Sequence, residues 1–91
     1  MARSIVQEEK ECFICESTYG LEKHHCLHGW ANRRIADNLG LTVYLCKQHH
    51  TELHDRNHDL DLFVQQAGQR AYEEHIGSRE EFRRLFGKSY L

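Results

Sequence analysis

Two pairs of potential metal ligands constrain the fold of this chain more than any other feature. Cys12 and Cys15 are spaced Cys-x-x-Cys, and Cys46 and His49 are spaced Cys-x-x-His. A gap of two residues lets a tight turn or the start of a helix present two ligands to one ion, and four such ligands suit tetrahedral zinc. The spacing therefore predicts a structural Zn²⁺ site.

The size of the chain explains why such a site would matter. Its 91 residues allow one domain with a small core, and chains this short often need a metal or disulfides for stability. The content of 40% hydrophobic and 29% charged residues is typical of a globular domain. We expect one domain over residues 1–91, with a metal-centred core at 12–54, a helical cover at 58–91 and a segment at 1–10 that is frayed or paired with a partner.

The sequence also gives an expectation for the cellular compartment, and the compartment in turn affects how the cysteines are interpreted. The sequence shows no apolar signal-peptide run near its N-terminus and no long uncharged stretch that could span a membrane. We therefore expect a cytoplasmic protein with no membrane partner, and in that reducing compartment Cys-x-x-Cys more often indicates zinc or redox chemistry than a disulfide. The alternatives to the site above are free buried cysteines, or a four-cysteine site with Cys26 replacing His49. Cys26 itself is interpreted as a buried, inert thiol.

The pattern of residue types predicts an α+β fold. Two short strands, LEKHHC at 21–26 and LTVYLC at 41–46, are expected to pair antiparallel, the second being rich in β-branched and aromatic residues. A short helix is predicted within residues 29–40, with Gly40 at its end. Another is predicted at 47–55.

Two further helices are predicted at the C-terminal end. From Asp59 to Gly77 apolar residues recur every three or four positions, and the last helix starts with a Ser-x-x-Glu capping box at Ser78 and Glu81. The predicted apolar faces are Leu60, Phe63, Val64, Ala67, Ala71 and Ile76 on the first helix and Phe82, Leu85 and Phe86 on the second. Both helices are expected to cover the metal-centred half, although the apolar face at 72–82 could instead form a homodimer.

A set of histidines could hold a second ion. His50 and His54 are four residues apart, so they share one face of a helix, and His24 or His25 would add a third imidazole. Three protein ligands leave positions open for water and substrate, which is typical of a catalytic metal. Because His24 and His25 are neighbours on a strand, they point to opposite faces. One could bind metal while the other accepts a proton from water.

The order of these motifs resembles that of the HNH endonucleases, also called ββα-metal or His-Me finger nucleases. The residues that carry the resemblance are Cys12-x-x-Cys15, LEKHHC, LTVYLC, Cys46-x-x-His49 and His50-x-x-x-His54. It covers residues 12–54 and is closest to the zinc-stapled, treble-clef members found in phage and bacteria. The histidine set is also similar to that of the DNase colicins.

The resemblance implies a role for each histidine. It implies that His24, His50 and His54 bind a catalytic divalent cation such as Mg²⁺, Mn²⁺, Ni²⁺ or Zn²⁺. It also implies that His25 is the general base that activates water for cleavage of a DNA phosphodiester, while the cation stabilises the leaving 3′-oxygen and the charged phosphate.

One position departs from the family pattern. Where the family has an asparagine that orients the general base, this chain has Leu41, with Asn38 and Asn32 nearby as potential substitutes. This departure supports a rival hypothesis, in which the chain is a treble-clef zinc module that binds nucleic acid or protein and catalyses no reaction. A redox protein using Cys12 and Cys15 is a weaker alternative, because it leaves the ordered histidines without a purpose.

Charge limits how DNA could be bound. The formal net charge of −2 gives no general attraction to nucleic acid, so phosphate contacts would be local. Arg33, Arg34 and Arg56 are candidates for them, although a solvated helix face is an equally good interpretation of the first two.

The remaining aromatic candidates receive plainer interpretations. Trp30 could stack on a base, but a lone tryptophan in a small domain is expected in the core. His28 could contact substrate or metal but is interpreted as structural or solvated. His58 and His75 are interpreted as ordinary helix-end histidines.

Overall fold

Two antiparallel strands and four helices make up the described part of the chain, residues 3–55 and 57–91 of a computed structural model. Their order is β1 (Leu21–His25), α1 (Trp30–Leu39), β2 (Thr42–Cys46), α2 (Lys47–Asp55), α3 (His58–His75) and α4 (Arg79–Phe86). The predicted α+β class, the antiparallel pair and the helices are thereby confirmed. Arg56, one of the expected phosphate contacts, lies outside the described residues.

The register of the sheet sets the direction of the histidine pair. β1 and β2 pair antiparallel, with Leu21 opposite Cys46 and His25 opposite Thr42. Because neighbouring side chains of a strand point to opposite faces, His24 is buried against two histidines of α2. His25 instead contacts Asp37 of α1.

The helix between the strands ends where the sequence predicts. Gly40 takes the left-handed conformation, with φ of 76°, and its N–H bonds the carbonyls of Ala36 and Asp37. A Cβ at this position would lie 2.2 Å from the backbone oxygen of Arg3. Both the turn and this close approach therefore favour glycine.

The N-terminal segment runs beside β2. The Ile5 N–H donates to the Gly40 carbonyl at 2.9 Å, the Ser4 hydroxyl donates to the Thr42 carbonyl, and the Tyr44 N–H donates to the Gln7 side chain at 2.9 Å. These bonds satisfy backbone groups that the two-stranded sheet leaves unpaired. Fraying of residues 1–10 in solution stays a prediction.

The core lies between the sheet and the C-terminal helices. Its buried residues come from β2, from all four helices and from the connecting segments, and are Cys12, Cys26, Leu27, Ala36, Leu41, Val43, Leu45, Cys46, Leu53, Val64, Ala71, Tyr72, Phe82 and Phe86. The capping box predicted at Ser78 and Glu81 is present at the start of α4. Among residues 3–55 and 57–91, no helix combines the length and apolar content that a bilayer crossing needs.

Four apolar side chains predicted to be buried are exposed. Trp30 is 79% exposed, because it lies about 120° around α1 from the buried Ala36, six residues later. The core prediction for it is therefore wrong.

The other three exposed side chains are Phe63, Ile76 and Leu85. The inward face of α3 is occupied by Val64, Gly68, Ala71 and Tyr72, and that of α4 by Phe82 and Phe86. These three residues lie beside the inward faces or beyond the helix end, so a small core leaves them in contact with solvent.

The close packing of α3 gives a first prediction. Gly68→Ala in a free helix would stabilise it by about 1 kcal/mol, but here the new Cβ would lie 2.7 Å from the Cβ of Cys26. We expect the free energy of unfolding to fall by about 1–3 kcal/mol, seen as a lower urea midpoint. Arg70→Ala, at an exposed position of the same helix, is the control. An unchanged midpoint for Gly68→Ala would show that the contact is absent.

Candidate functional site

Three cysteines and one histidine come together where β2 meets α2. Cys12 and Cys15 lie in the turn before β1, Cys46 ends β2, and His49 lies in the first turn of α2. Their four ligand atoms all lie within 4.8 Å of one another. The predicted set is therefore close enough to hold a metal ion.

The individual distances are compatible with zinc. The Cys46 Sγ lies 3.2 Å and the Cys12 Sγ 3.7 Å from the His49 Nδ1, and the Cys15 Sγ lies 3.9 Å from that of Cys46. In a zinc tetrahedron, ligands at the usual bond lengths are separated by about 3.5–3.8 Å. Cys26 belongs to none of the potential metal groups among the described residues, which disfavours the four-cysteine alternative.

Hydrogen bonds shape the turn that carries the first pair. The Cys12 N–H donates to the Ser17 carbonyl at 2.7 Å, and the Glu16 N–H donates to the Cys12 carbonyl at 2.8 Å. Glu16 takes a positive φ of 63° to close the turn. The Phe13 N–H then donates to the Tyr44 carbonyl at 2.8 Å, which holds the turn against β2.

Backbone donors also favour the metal-binding form of Cys12. Burial opposes ionisation, but hydrogen bonds from the backbone at Cys46, Cys15 and Ile14 outweigh it and lower the pKa of Cys12 to about 6. The thiolate is the form that binds zinc. By contrast, burial raises the pKa of Cys26 to about 12, which agrees with its interpretation as an inert thiol.

Removal of one ligand from this group is the second prediction. We expect Cys46→Ser to lose the bound zinc and to unfold at a clearly lower temperature, because a structural metal site contributes directly to folding. Metal content by mass spectrometry and a thermal melt would measure both effects. Cys26→Ala, which removes a buried thiol outside the group, should keep its zinc. Full zinc content in Cys46→Ser would contradict the assignment.

The second cluster is formed by the imidazoles of His24, His50 and His54. Their potential ligand atoms also lie within 4.8 Å of one another. The Nε2 atoms of His50 and His54 are 3.1 Å apart, close to the separation of about 3.3 Å expected for two nitrogens on one tetrahedral ion. The spacing of four residues on α2 thus aims both rings at one point, as the sequence predicts.

A carboxylate fixes the ring orientation of one of these histidines. The His50 Nδ1 lies 3.1 Å from a carboxylate oxygen of Glu22 on β1. Because an ionised carboxylate can only accept, Nδ1 of a neutral His50 ring carries the hydrogen, and the lone pair on Nε2 is turned toward the His54 ring. Such carboxylate–histidine pairs are typical of the surroundings of a metal.

His24 lacks the partner that a buried polar group normally has. It is 4% exposed, and its Nε2 has no hydrogen-bond partner among the described residues. Burial and the neighbouring His50, His28 and His54 lower the pKa of His24 to about 3, so the ring stays neutral. A neutral, buried imidazole with an unpaired nitrogen costs about 1–3 kcal/mol unless something binds it.

The structure brings two more residues to this cluster. The His28 ring lies 5.6 Å from that of His24, and its Nε2 pairs with a carboxylate oxygen of Asp61 on α3. With His24 these two side chains form another group that could hold a metal. The pair with Asp61 agrees with the structural half of the interpretation of His28, and metal binding by this residue stays a prediction. Asp61 had no signal in the sequence, because an acid in the first turn of a helix is explained by the helix dipole.

His25 lies on the other face of β1 and has a different partner. Its Nε2 is 3.3 Å from a carboxylate oxygen of Asp37, which also pairs with Lys23. The hydrogen bonds from Lys23 and His25 lower the pKa of Asp37. Leu41 is fully buried, so the acceptor beside His25 is Asp37 rather than a residue at the position of the family asparagine.

A surface depression connects these features. It is lined by the four clustered histidines together with Lys23, His25, Gly29 and Arg33. Arg34 lies in an adjoining depression with His25 and Arg33. The two predicted substrate-binding arginines are thus exposed beside His25.

Comparisons of the chain with protein-family models, with curated proteins and with solved structures find no match. The geometry of the two clusters and the cysteine and histidine motifs of residues 12–54 are therefore the basis for inferring a function.

The low pKa of His24 gives a third prediction. Its folded pKa of about 3 lies below the ordinary value of 6.5, so between these values the unfolded chain binds more protons and stability falls as the pH decreases. With zinc at the cysteine group and no second ion, lowering the pH from about 7.5 to 5.5 should cost wild type about 1 kcal/mol more than His24→Gln. Urea unfolding at both pH values measures the difference. Equal losses would contradict the buried neutral ring.

Proposed function

We propose that the protein is a small HNH-type endonuclease that hydrolyses DNA phosphodiester bonds with one divalent cation. Its core would be the treble-clef form of the ββα-metal fold, built from β1, β2 and α2. The observation that carries the proposal is that the neighbouring residues His24 and His25 have different surroundings. His24 is buried among imidazoles with an unpaired nitrogen, whereas His25 lies in the open depression beside it.

The residues present fit a cation at the histidine cluster. His24, His50 and His54 would hold it, and the ion would stabilise negative charge on the phosphate and on the leaving 3′-oxygen. Three imidazoles suit Zn²⁺ or Ni²⁺, and also Mn²⁺ at lower affinity, whereas Mg²⁺ prefers oxygen ligands. We therefore propose one of the first three as the effective ion.

His25 would act as the general base. Because the Asp37 carboxylate accepts a hydrogen bond from Nε2, the hydrogen of neutral His25 is held there and Nδ1 is left to accept a proton from water. Asp37 would thus be the positioning residue where the family uses its asparagine. Its pairing with Lys23 keeps it ionised.

Local positive charge would bind the substrate despite the net charge of the chain. Arg33 and Arg34 are exposed next to His25, where guanidinium groups could contact the phosphates on either side of the reacting one. We propose that the enzyme acts in the cytoplasm, where its thiols stay reduced. A homodimer stays a prediction.

Plasmid nicking provides the fourth prediction. Wild type with zinc at the cysteine group should nick plasmid DNA when Mn²⁺, Ni²⁺ or Zn²⁺ is added. His25→Ala should lower the rate by about 10²–10⁴-fold, the usual contribution of a general base, with its zinc content unchanged. His75→Ala, an exposed histidine at the end of α3, is the matched control and should cut at the wild-type rate.

Two outcomes would contradict the proposal. One is the absence of cleavage of any nucleic acid with Mg²⁺, Mn²⁺, Ni²⁺ or Zn²⁺ by fully zinc-loaded protein. The other is titration calorimetry that finds zinc at the cysteine group and no second, exchangeable ion. Together they would favour the non-catalytic zinc module, because that protein needs no metal at His24, His50 and His54.

A further inference from the structure

Trp30 is exposed at an unusual place. It is the first residue of α1 and 79% of its surface is open to solvent. A single exposed apolar side chain needs no explanation by itself. Tyr19, for example, is 88% exposed but lines neither of the two depressions at the histidines.

The surroundings of Trp30 distinguish it from Tyr19. The indole lines the adjoining depression, called here the Trp30 groove, together with Lys23, His25, Arg33, Arg34 and Asp37. Three of these residues, Lys23, His25 and Arg33, also line the depression at the histidine cluster. The proposed general base therefore lies where the Trp30 groove adjoins the depression at the histidine cluster.

The positive charge of the Trp30 groove suits a polyanion. Lys23, Arg33 and Arg34 outnumber the one carboxylate of the groove, Asp37, so the groove is locally positive on a chain whose net charge is −2. The one carboxylate of the groove, Asp37, is already paired with Lys23 and His25. An aromatic face among cationic side chains is the combination that binds single-stranded nucleic acid, because bases stack on the ring while the cations contact the backbone.

We infer that Trp30 stacks on an unpaired nucleobase next to the phosphate that is cleaved. This inference rests on the proposed endonuclease function and narrows its substrate to strands with unpaired nucleotides at the cutting position. In the interior of a duplex both faces of each base are covered by its neighbours, so the indole would have no free face to stack on without opening the helix. A single strand, an overhang or a gap offers that face directly.

Fluorescence can test the stacking without any cleavage. Trp30 is the only tryptophan of the chain, so its emission reports on this position alone. Zinc-loaded wild type, with no second ion added, is titrated with a single-stranded DNA of about eight nucleotides, with the duplex of the same sequence and with the matching single-stranded RNA. We expect strong quenching by the single strands and at least about five-fold weaker binding of the duplex.

The titration with RNA shows whether the unpaired base can come from RNA as well as from DNA. Equal quenching by RNA and DNA would support stacking that ignores the sugar, and quenching by DNA alone would support the same stacking with discrimination against the 2′-hydroxyl. Quenching by the duplex as strong as by the single strands would overturn the inference.

Variants then link stacking to cutting. Trp30→Ala should bind and cut the single strand about 5- to 100-fold less well, the range for loss of one stacked base, and Trp30→Phe should recover most of the loss. Tyr19→Ala is the matched control for removal of an exposed aromatic ring and should resemble wild type. Circular dichroism should be unchanged in all three, since both rings are largely exposed.

The outcomes separate this inference from the function on which it rests. If wild type cuts duplex and single strand equally and Trp30→Ala cuts both at the wild-type rate, the stacking is wrong and the endonuclease stands. If nothing is cut but the single strands quench Trp30 selectively, the nuclease is wrong and a single-strand binding groove remains.

Discussion

The rest of the structure depends on the way α2 is held at its first turn. His49 joins Cys12, Cys15 and Cys46 there, and the next residue, His50, turns to the other cluster with His54. Because the helix is rigid over this distance, fixing His49 also fixes the direction of the other two rings. The cysteine group therefore determines where the histidine cluster lies, although the two share no ligand.

Much of the fold could be predicted from local patterns. The bounds of β2, α1 and α2 follow from β-branched residues, from Gly40 and from ligand spacing, and all of these act over a few residues. Burial in the C-terminal helices was predicted less well. The spacing predicts that Phe63 and Ile76 share an apolar face with Val64, but only Val64 is buried. The packing of neighbouring elements decides which of these positions fits a small core.

In the candidate site, too, residues related by local spacing could be predicted, whereas residues brought in by tertiary packing could not. His24, His50 and His54 could be found because spacing on one element aims them together. Asp37 and Asp61 could not, because each reaches its histidine from a helix whose rotation is set by tertiary packing. The core prediction for Trp30 is wrong for a related reason: tryptophan is more often buried, but the orientation of α1 leaves this one exposed.

The two groups of potential metal ligands differ in softness. Thiolates bind zinc more tightly than imidazoles do, so a zinc ion at the cysteine group would be retained, whereas a cation at the histidine cluster would exchange more readily. Cys26 lies two residues from His24, but its sulfur belongs to no potential metal group among residues 3–55 and 57–91. Its deep burial holds it protonated. A cation at His24, His50 and His54 would therefore have no sulfur ligand, would be held less tightly than zinc at the cysteine group, and would stay open to water.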